Sequence, residues 1–170
     1  TAVAMSLEQG VDQFVFASTC SNYGALPEGV TANEMTQLEP LSLYAEHKVM
    51  IETDLLAVAE THATNITVLR IATAFGVSPR MRLDLTVSHF ASDAVRDRQL
   101  RVFDADTWRP YCHVSDLSRA IECVLQSDRQ LVRNEVFNIG SDANNFTKRM
   151  LAELIAHEIR DLAIEYVENG

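Results

Sequence analysis

Tyr44 and Lys48 stand four residues apart in this chain of 170. On a helix that spacing stacks two side chains on one face, one turn apart. An ammonium beside a phenol favours the phenolate, and a phenol tuned in this way can exchange protons with a substrate hydroxyl near neutral pH. The same pair also occurs on ordinary amphipathic helices, with Tyr packed at an edge and Lys solvated. Its meaning therefore depends on what surrounds it. Upstream, Ala17-Ser18-Thr19-Cys20-Ser21-Asn22-Tyr23-Gly24 follows an apolar run. A hydroxyl at Ser18 or Thr19 could donate to and accept from a substrate oxygen at once. The plainer reading is a Ser/Asn/Gly turn. Together the two stretches make a hydroxyl–phenol–ammonium trio possible.

The elements that must position these groups alternate in type. Residues 1–10 read as the last turns of a helix ending at Gly10, and 11–17 as a buried strand. Residues 18–41 carry Gly24, Pro27, Gly29 and Pro40 and read as loop. Ser42 is placed to cap a helix to about His62, with Val49, Met50, Leu55, Leu56 and Val58 inward and Glu52, Asp54 and Glu60 on a solvated face. Residues 65–71 are strand, 72–84 loop, 85–98 helix, 99–103 strand and 109–114 extended. Ser115 is placed to cap a helix to Gln126 with Leu117, Ala120, Ile121 and Val124 inward. Residues 135–139 are strand, 146–160 helix and 163–167 strand. Such alternation predicts an α/β fold built on a parallel sheet. Ligands of such sheets sit beyond the carboxyl ends of the strands, here Ala17-Ser18-Thr19, Ile71-Ala72-Thr73 and Ile139-Gly140.

Composition narrows the partners. A hydrophobic fraction of 47% and a charged fraction of 22% suit one globular domain with a sizeable core. The net charge of −10 repels phosphate backbones, so nucleic acid is not an expected partner. No apolar run is long enough to span a bilayer, and no signal-peptide pattern is visible. Cys20, Cys112 and Cys123 are scattered, which suits neither a disulfide framework nor a zinc site and makes a cytoplasmic setting the default. The histidines are dispersed, so no metal is expected, and His113 reads as structural. The truncated-looking helix at the start points to a piece of a longer protein.

Five blocks in order carry a resemblance: Phe14-Val-Phe-Ala-Ser-Thr-Cys-Ser-Asn-Tyr-Gly24, Pro40-Leu-Ser-Leu-Tyr-Ala-Glu-His-Lys48, Leu69-Arg-Ile-Ala-Thr-Ala-Phe-Gly76, Arg109-Pro-Tyr-Cys-His-Val-Ser-Asp116 and Val136-Phe-Asn-Ile-Gly140. With these the chain resembles the extended short-chain dehydrogenase/reductase family, in its NAD-dependent nucleotide-sugar epimerase/dehydratase branch. The resemblance implies a Rossmann-like sheet with helices on both faces, the catalytic part spanning 1–76. A small α/β substrate-binding portion would span 77–170, with 115–140 returning to the sheet.

It further implies that Tyr44 is the catalytic acid/base, that Lys48 holds the nicotinamide ribose, and that Thr19 is the third catalytic residue. Ala17, Ser18, Ala72, Thr73 and Phe75 would touch the cofactor, which is NAD or NADP. Thr19, Thr73, Arg82 and Arg109 would touch a nucleotide-sugar substrate, Arg109 through a bidentate grip on its diphosphate. Tyr44 would take the hydroxyl proton while hydride leaves the same carbon for the nicotinamide.

Cys20-Ser21 stands where the family's dehydratases have Asp-Glu, which favours epimerisation or simple oxidoreduction. Thr73 stands where many sugar epimerases have Asn. The family's Gly-x-x-Gly-x-x-Gly turn does not occur here; it belongs to about a hundred residues of preceding strand–helix units, and without it NAD binding by the isolated chain should be weak. A homodimer is implied through the helix ending at Gly10 and the one starting at Ser42. A relative that senses or scaffolds without catalysis, and a carbonyl reductase, are the rival readings.

Overall fold

The computed structural model describes residues 2–27 and 29–168. Thr1, Glu28, Asn169 and Gly170, which the sequence reading assigned to the two chain ends and a loop, lie outside the described residues. In chain order the elements are α1 (Ala2–Glu8), β1 (Gln13–Thr19), a 3₁₀ turn (Cys20–Tyr23), α2 (Leu43–Ala59), β2 (Asn65–Ile71), β3 (Thr73–Phe75), α3 (Thr86–Arg96), β4 (Gln99–Phe103) and β5 (Trp108–His113). There follow α4 (Val114–Gln126), α5 (Arg129–Val132), β6 (Val136–Ile139), a 3₁₀ turn (Asp142–Asn144), β7 (Asn145–Thr147), α6 (Lys148–Glu158) and β8 (Ala163–Val167). They form two compact units, residues 1–72 with 116–139 and residues 73–115 with 140–170.

The first unit is built on a parallel sheet in the order β1-β2-β6. β2 is central, and Ile66, Val68 and Leu69 are completely buried. Strand residues alternate sides. Phe14, Phe16 and Ile66 meet Val3 of α1 and Leu55, Val58 and Ala59 of α2. On the other face Val15, Leu69, Ile71, Phe137 and Ile139 meet Ile121 and Val124 of α4 and Val132 of α5. A fully buried aliphatic side chain such as Ile66 or Leu69 contributes about 1.5–3 kcal/mol by leaving water. β1 is an edge of this sheet: β2 pairs along all seven of its residues and nothing pairs with its far side among the described residues. The second unit packs α3 and α6 on the parallel pair β4-β8, around Phe90, Ala94, Leu100, Val102, Tyr111, Leu151 and Ala152. β5 lies between β3, parallel to it, and β7, antiparallel.

Several expectations need correction. β1 runs two residues further than 11–17 suggested, because Ser18 and Thr19 still pair with Arg70 and Ile71. The 72–84 loop hides the short strand β3, and the first residues assigned to the helix 146–160 belong instead to the strand β7, whose Thr147 caps α6 by accepting from Met150 N. Ser115 lies inside α4 instead of capping it. Its backbone N–H donates to His113 Nδ1 at 3.2 Å. Ser42 does cap α2, accepting from Ala45 N at 3.2 Å. The buried stripe of α2 is Ala45, Glu52, Leu55 and Ala59, while Met50, expected inward, is 62% exposed.

Two glycines are required by geometry. At Gly24 φ is +71°, and a Cβ there would run into the Glu39 carbonyl oxygen. At Gly76 φ is +125°, and a Cβ would stand 2.5 Å from His113 Nε2. Gly24→Ala forces both a left-handed alanine and a backbone shift, so a loss of about 2 kcal/mol or more is expected in urea denaturation. An unchanged midpoint would show that the 24–39 approach is not rigid.

Candidate active site

The carboxyl end of β1 is held by groups from several elements of the first unit. Lys48 reaches from α2 and donates from Nζ to the Ala17 carbonyl at 2.7 Å. The same ammonium stands 4.6 Å from the Phe16 ring centroid and 5.8 Å from that of Tyr44. The helical spacing of four therefore places the ammonium beside the Tyr44 ring, and the lysine's own bond fastens it to the strand end where Thr19 stands two residues on. Thr19 is 8% exposed, and its Oγ1 accepts from Ser21 N at 3.2 Å, opening the 3₁₀ turn. That bond leaves the hydroxyl hydrogen available to donate. Tyr44 is 58% exposed, so its ring can be reached by a small molecule.

Ser18 behaves differently from its neighbour. Sequence reasoning aimed both hydroxyls at a crevice, but alternation sends Ser18 to the α2 side. Its Oγ donates to Glu52 Oε1 and accepts from Asn22 Nδ2 at 3.2 Å. A contact from Ser18 to a bound molecule would have to come from its main chain. Ala72 is 5% exposed, and its N–H donates to the Ile139 carbonyl at 2.9 Å.

Sequence reasoning missed the polar cluster behind this end. Glu52, expected on a solvated face with Asp54 and Glu60, is 2% exposed, whereas the other two do face solvent. It pairs with Arg70 of β2, Nη2 to Oε2 at 2.8 Å and Nε to Oε2 at 3.0 Å. Arg70 Nη1 donates to Tyr23 Oη at 3.0 Å and to the Glu34 carbonyl at 3.3 Å. Tyr23 in turn donates to Asn138 Oδ1 at 2.6 Å, and Asn138 N donates to Glu34 Oε1 at 2.7 Å. Burial alone would lower the pKa of the Arg70 guanidinium. Its hydrogen bonds to Glu52 and Tyr23 outweigh that and hold it above the ordinary arginine value. The available signal was Arg70 itself, a charge inside the otherwise uncharged strand Asn65–Ile71, which has to find a partner when buried.

The remaining predicted site residues belong to the second unit. Thr73 and Phe75 lie on β3, and Phe75 packs edge-on against Tyr111 and His113 with centroids at 6.5 and 5.3 Å. Arg109 is exposed on β5. Arg82 forks onto Asp84, its Nε at 3.1 Å from Oδ1, and this bond holds the Asp84 carboxyl below the usual carboxylate range. Among the described residues no group of three or more His, Cys, Asp or Glu could hold a metal ion, and no helix is long and apolar enough to cross a membrane.

Residues 1–140 match the model of the NAD dependent epimerase/dehydratase family. A UDP-glucose 4-epimerase of Rhizobium leguminosarum bv. trifolii is 26% identical over 186 residues, which cover 98% of this chain and 55% of that protein. A dTDP-glucose 4,6-dehydratase of Streptomyces niveus is 33% identical over 146 residues, 84% of this chain and 41% of that one. The crystal structure of a dTDP-glucose 4,6-dehydratase from Bacillus anthracis in complex with NAD superimposes with a TM-score of 0.86 at 26% identity, covering 99% of this chain and 53% of that one. The chain spans about half the length of the curated relatives it matches.

Tyr23→Phe removes a hydroxyl that bonds both Asn138 and Arg70 and leaves their polar atoms unpaired. A loss of about 1–3 kcal/mol is expected by urea or thermal denaturation. A loss below about 0.5 kcal/mol would mean that water replaces the hydroxyl there.

Proposed function

The chain belongs to the NAD-dependent epimerase/dehydratase family, and we propose that it carries the proton-transfer trio of an enzyme that epimerises a nucleotide-activated sugar. The observation that carries this reading is the placement of Lys48, bonded to the end of β1 and beside the Tyr44 ring. Tyr44 takes the proton of a sugar hydroxyl and later returns one, and the Lys48 charge stabilises the phenol oxygen while it is anionic. Thr19 donates its free hydroxyl hydrogen to the substrate oxygen as charge builds there.

NAD, when bound, supplies a reversible hydride acceptor. The residues suit its nicotinamide-ribose end: Lys48 gives one of its three hydrogens to Ala17 and keeps two for ribose hydroxyls. Tyr44, Ala17, the Ser18 main chain, Ala72, Thr73 and Phe75 are the other proposed contacts. The pyrophosphate end has no glycine-rich seat among these residues. On the second unit, Arg109 is the proposed contact to the substrate diphosphate, with Thr73 and Arg82 as further substrate contacts.

Epimerisation is favoured over dehydration by Cys20-Ser21 after Thr19, since neither side chain matches the acid and base needed to remove water. In the intact protein supplied with NAD, Tyr44→Phe should lower turnover of UDP-glucose or dTDP-glucose about 10²- to 10⁴-fold and leave NAD binding within about threefold. Product of unchanged mass supports epimerisation, and product lighter by one water overturns it. Turnover unaffected by Tyr44→Phe would remove the catalytic reading altogether.

Homodimerisation through α1 and α2 is part of the same reading, in a cytoplasmic protein. Met5, Leu43, Met50 and Ile51 are 65%, 67%, 62% and 40% exposed on these helices. Their apolar area would be covered by the same helices of a second copy. Met50→Glu with Ile51→Glu should convert a dimer to a monomer in sedimentation velocity; a wild-type protein that sediments as a monomer refutes the assembly.

A further inference from the structure

The Glu52–Arg70 pair does more than fill the space under α2. A buried ion pair is seldom a good way to gain stability, because apolar residues of similar volume generally serve as well. What apolar residues cannot do is fix polar groups of other segments. Glu52 Oε1 accepts from Ser18 Oγ, from Asn22 Nδ2 at 2.7 Å and from Arg70 Nε at 3.3 Å. Arg70 uses its opposite side on Tyr23 Oη and the Glu34 carbonyl, and its guanidinium lies 5.2 Å from the Tyr23 ring centroid. Asn138 closes the circuit between Tyr23 and Glu34. Ser18 and Asn22 flank Thr19 in sequence, one residue before it and three after.

We propose that Glu52 and Arg70 are positioning residues: their ion pair grips Ser18 and Asn22 on either side of Thr19, and so holds the Thr19 hydroxyl in register for the reaction. Neither residue touches the reacting atoms. Arg70 also clamps Tyr23 and Glu34 onto the tip of β6, which keeps the turn after Thr19 from swinging away. This proposal rests on the catalytic reading of Thr19, Tyr44 and Lys48. It extends that reading to residues that family resemblance did not assign.

The test compares three variants of the intact protein: Glu52→Gln, Arg70→Lys, and the double variant Glu52→Leu with Arg70→Met. The double variant removes both charges together, so it should remain folded, with a melting temperature within about 5 °C of wild type. Amide hydrogen exchange at residues 18–23 should then quicken about tenfold or more. Its kcat on the nucleotide sugar should fall about 30-fold or more, with KM within about threefold. Arg70→Lys keeps the charge and loses the fork to Tyr23 and Glu34, and Glu52→Gln keeps the shape and loses the pairing; each should show the same pattern at about tenfold. These two decide the matter if the double variant does not fold. Unchanged kcat and unchanged exchange in any folded variant overturn the proposal. So does a loss of activity that merely tracks the loss of folded protein. Failure of the catalytic reading is recognised separately: Tyr44→Phe then leaves turnover intact, while exchange at 18–23 still reports whether the grip exists.

Discussion

A guanidinium and a carboxylate shut away from water must satisfy each other, and the first unit is arranged around that requirement. Arg70 sits on the central strand and Glu52 on the helix that covers it, both nearly inaccessible to solvent. Neither could be buried alone, because an unpaired charge in a low-dielectric interior costs several kcal/mol. Their pairing fixes how α2 lies on the sheet, and α2 carries Tyr44 and Lys48. The placement of Tyr44 and Lys48 thus depends on an electrostatic constraint one to two turns further along the helix. The spare hydrogen-bonding capacity of the two groups is taken up by Ser18, Asn22, Tyr23 and Glu34, so the constraint also reaches the loops over the strand ends.

The division of labour along β1 follows from the pleat. Successive residues point to opposite faces, so of two adjacent buried hydroxyls one is committed to the α2 side and the other faces away from it. Ser18 braces the strand from the α2 side. Thr19 starts a 3₁₀ turn and retains a hydrogen to give. Lys48 crosses the strand end and bonds a main-chain carbonyl there. Main-chain atoms of a paired strand move less than side chains, which gives the ammonium a fixed position beside the Tyr44 ring.

Much of this was legible in the residues. The strands at 65–71, 99–103 and 163–167 carry dense β-branched or alternating patterns and stand where the pattern puts them. The cap at Ser42 and the Tyr44–Lys48 spacing are local features and translate directly into geometry. What escaped was non-local. The three-residue strands β3 and β7 have no periodicity of their own and exist because β5 lies beside them. Glu52 looked solvent-facing because helical periodicity assigns charges outward, and its partner comes from a strand 18 residues on. Met50 was misassigned for the converse reason, since a side chain's hydrophobicity alone does not say which side of a helix is covered.

Among the described residues the first sheet ends at β1, and this open edge bears on how the polypeptide behaves in solution by itself. β1 reads Gln-Phe-Val-Phe-Ala-Ser-Thr, with no charge and no proline, and among the described residues no strand pairs with its outer flank, where Lys48 covers only the Ala17 carbonyl. Such a strip is a template on which further extended segments can stack, whether from another molecule or from an unfolded neighbour. No lysine within the strand discourages this. Colloidal behaviour would therefore be governed by whatever shields that rim, and the overall negative charge of −10 would offer only a diffuse, salt-sensitive deterrent against self-adhesion.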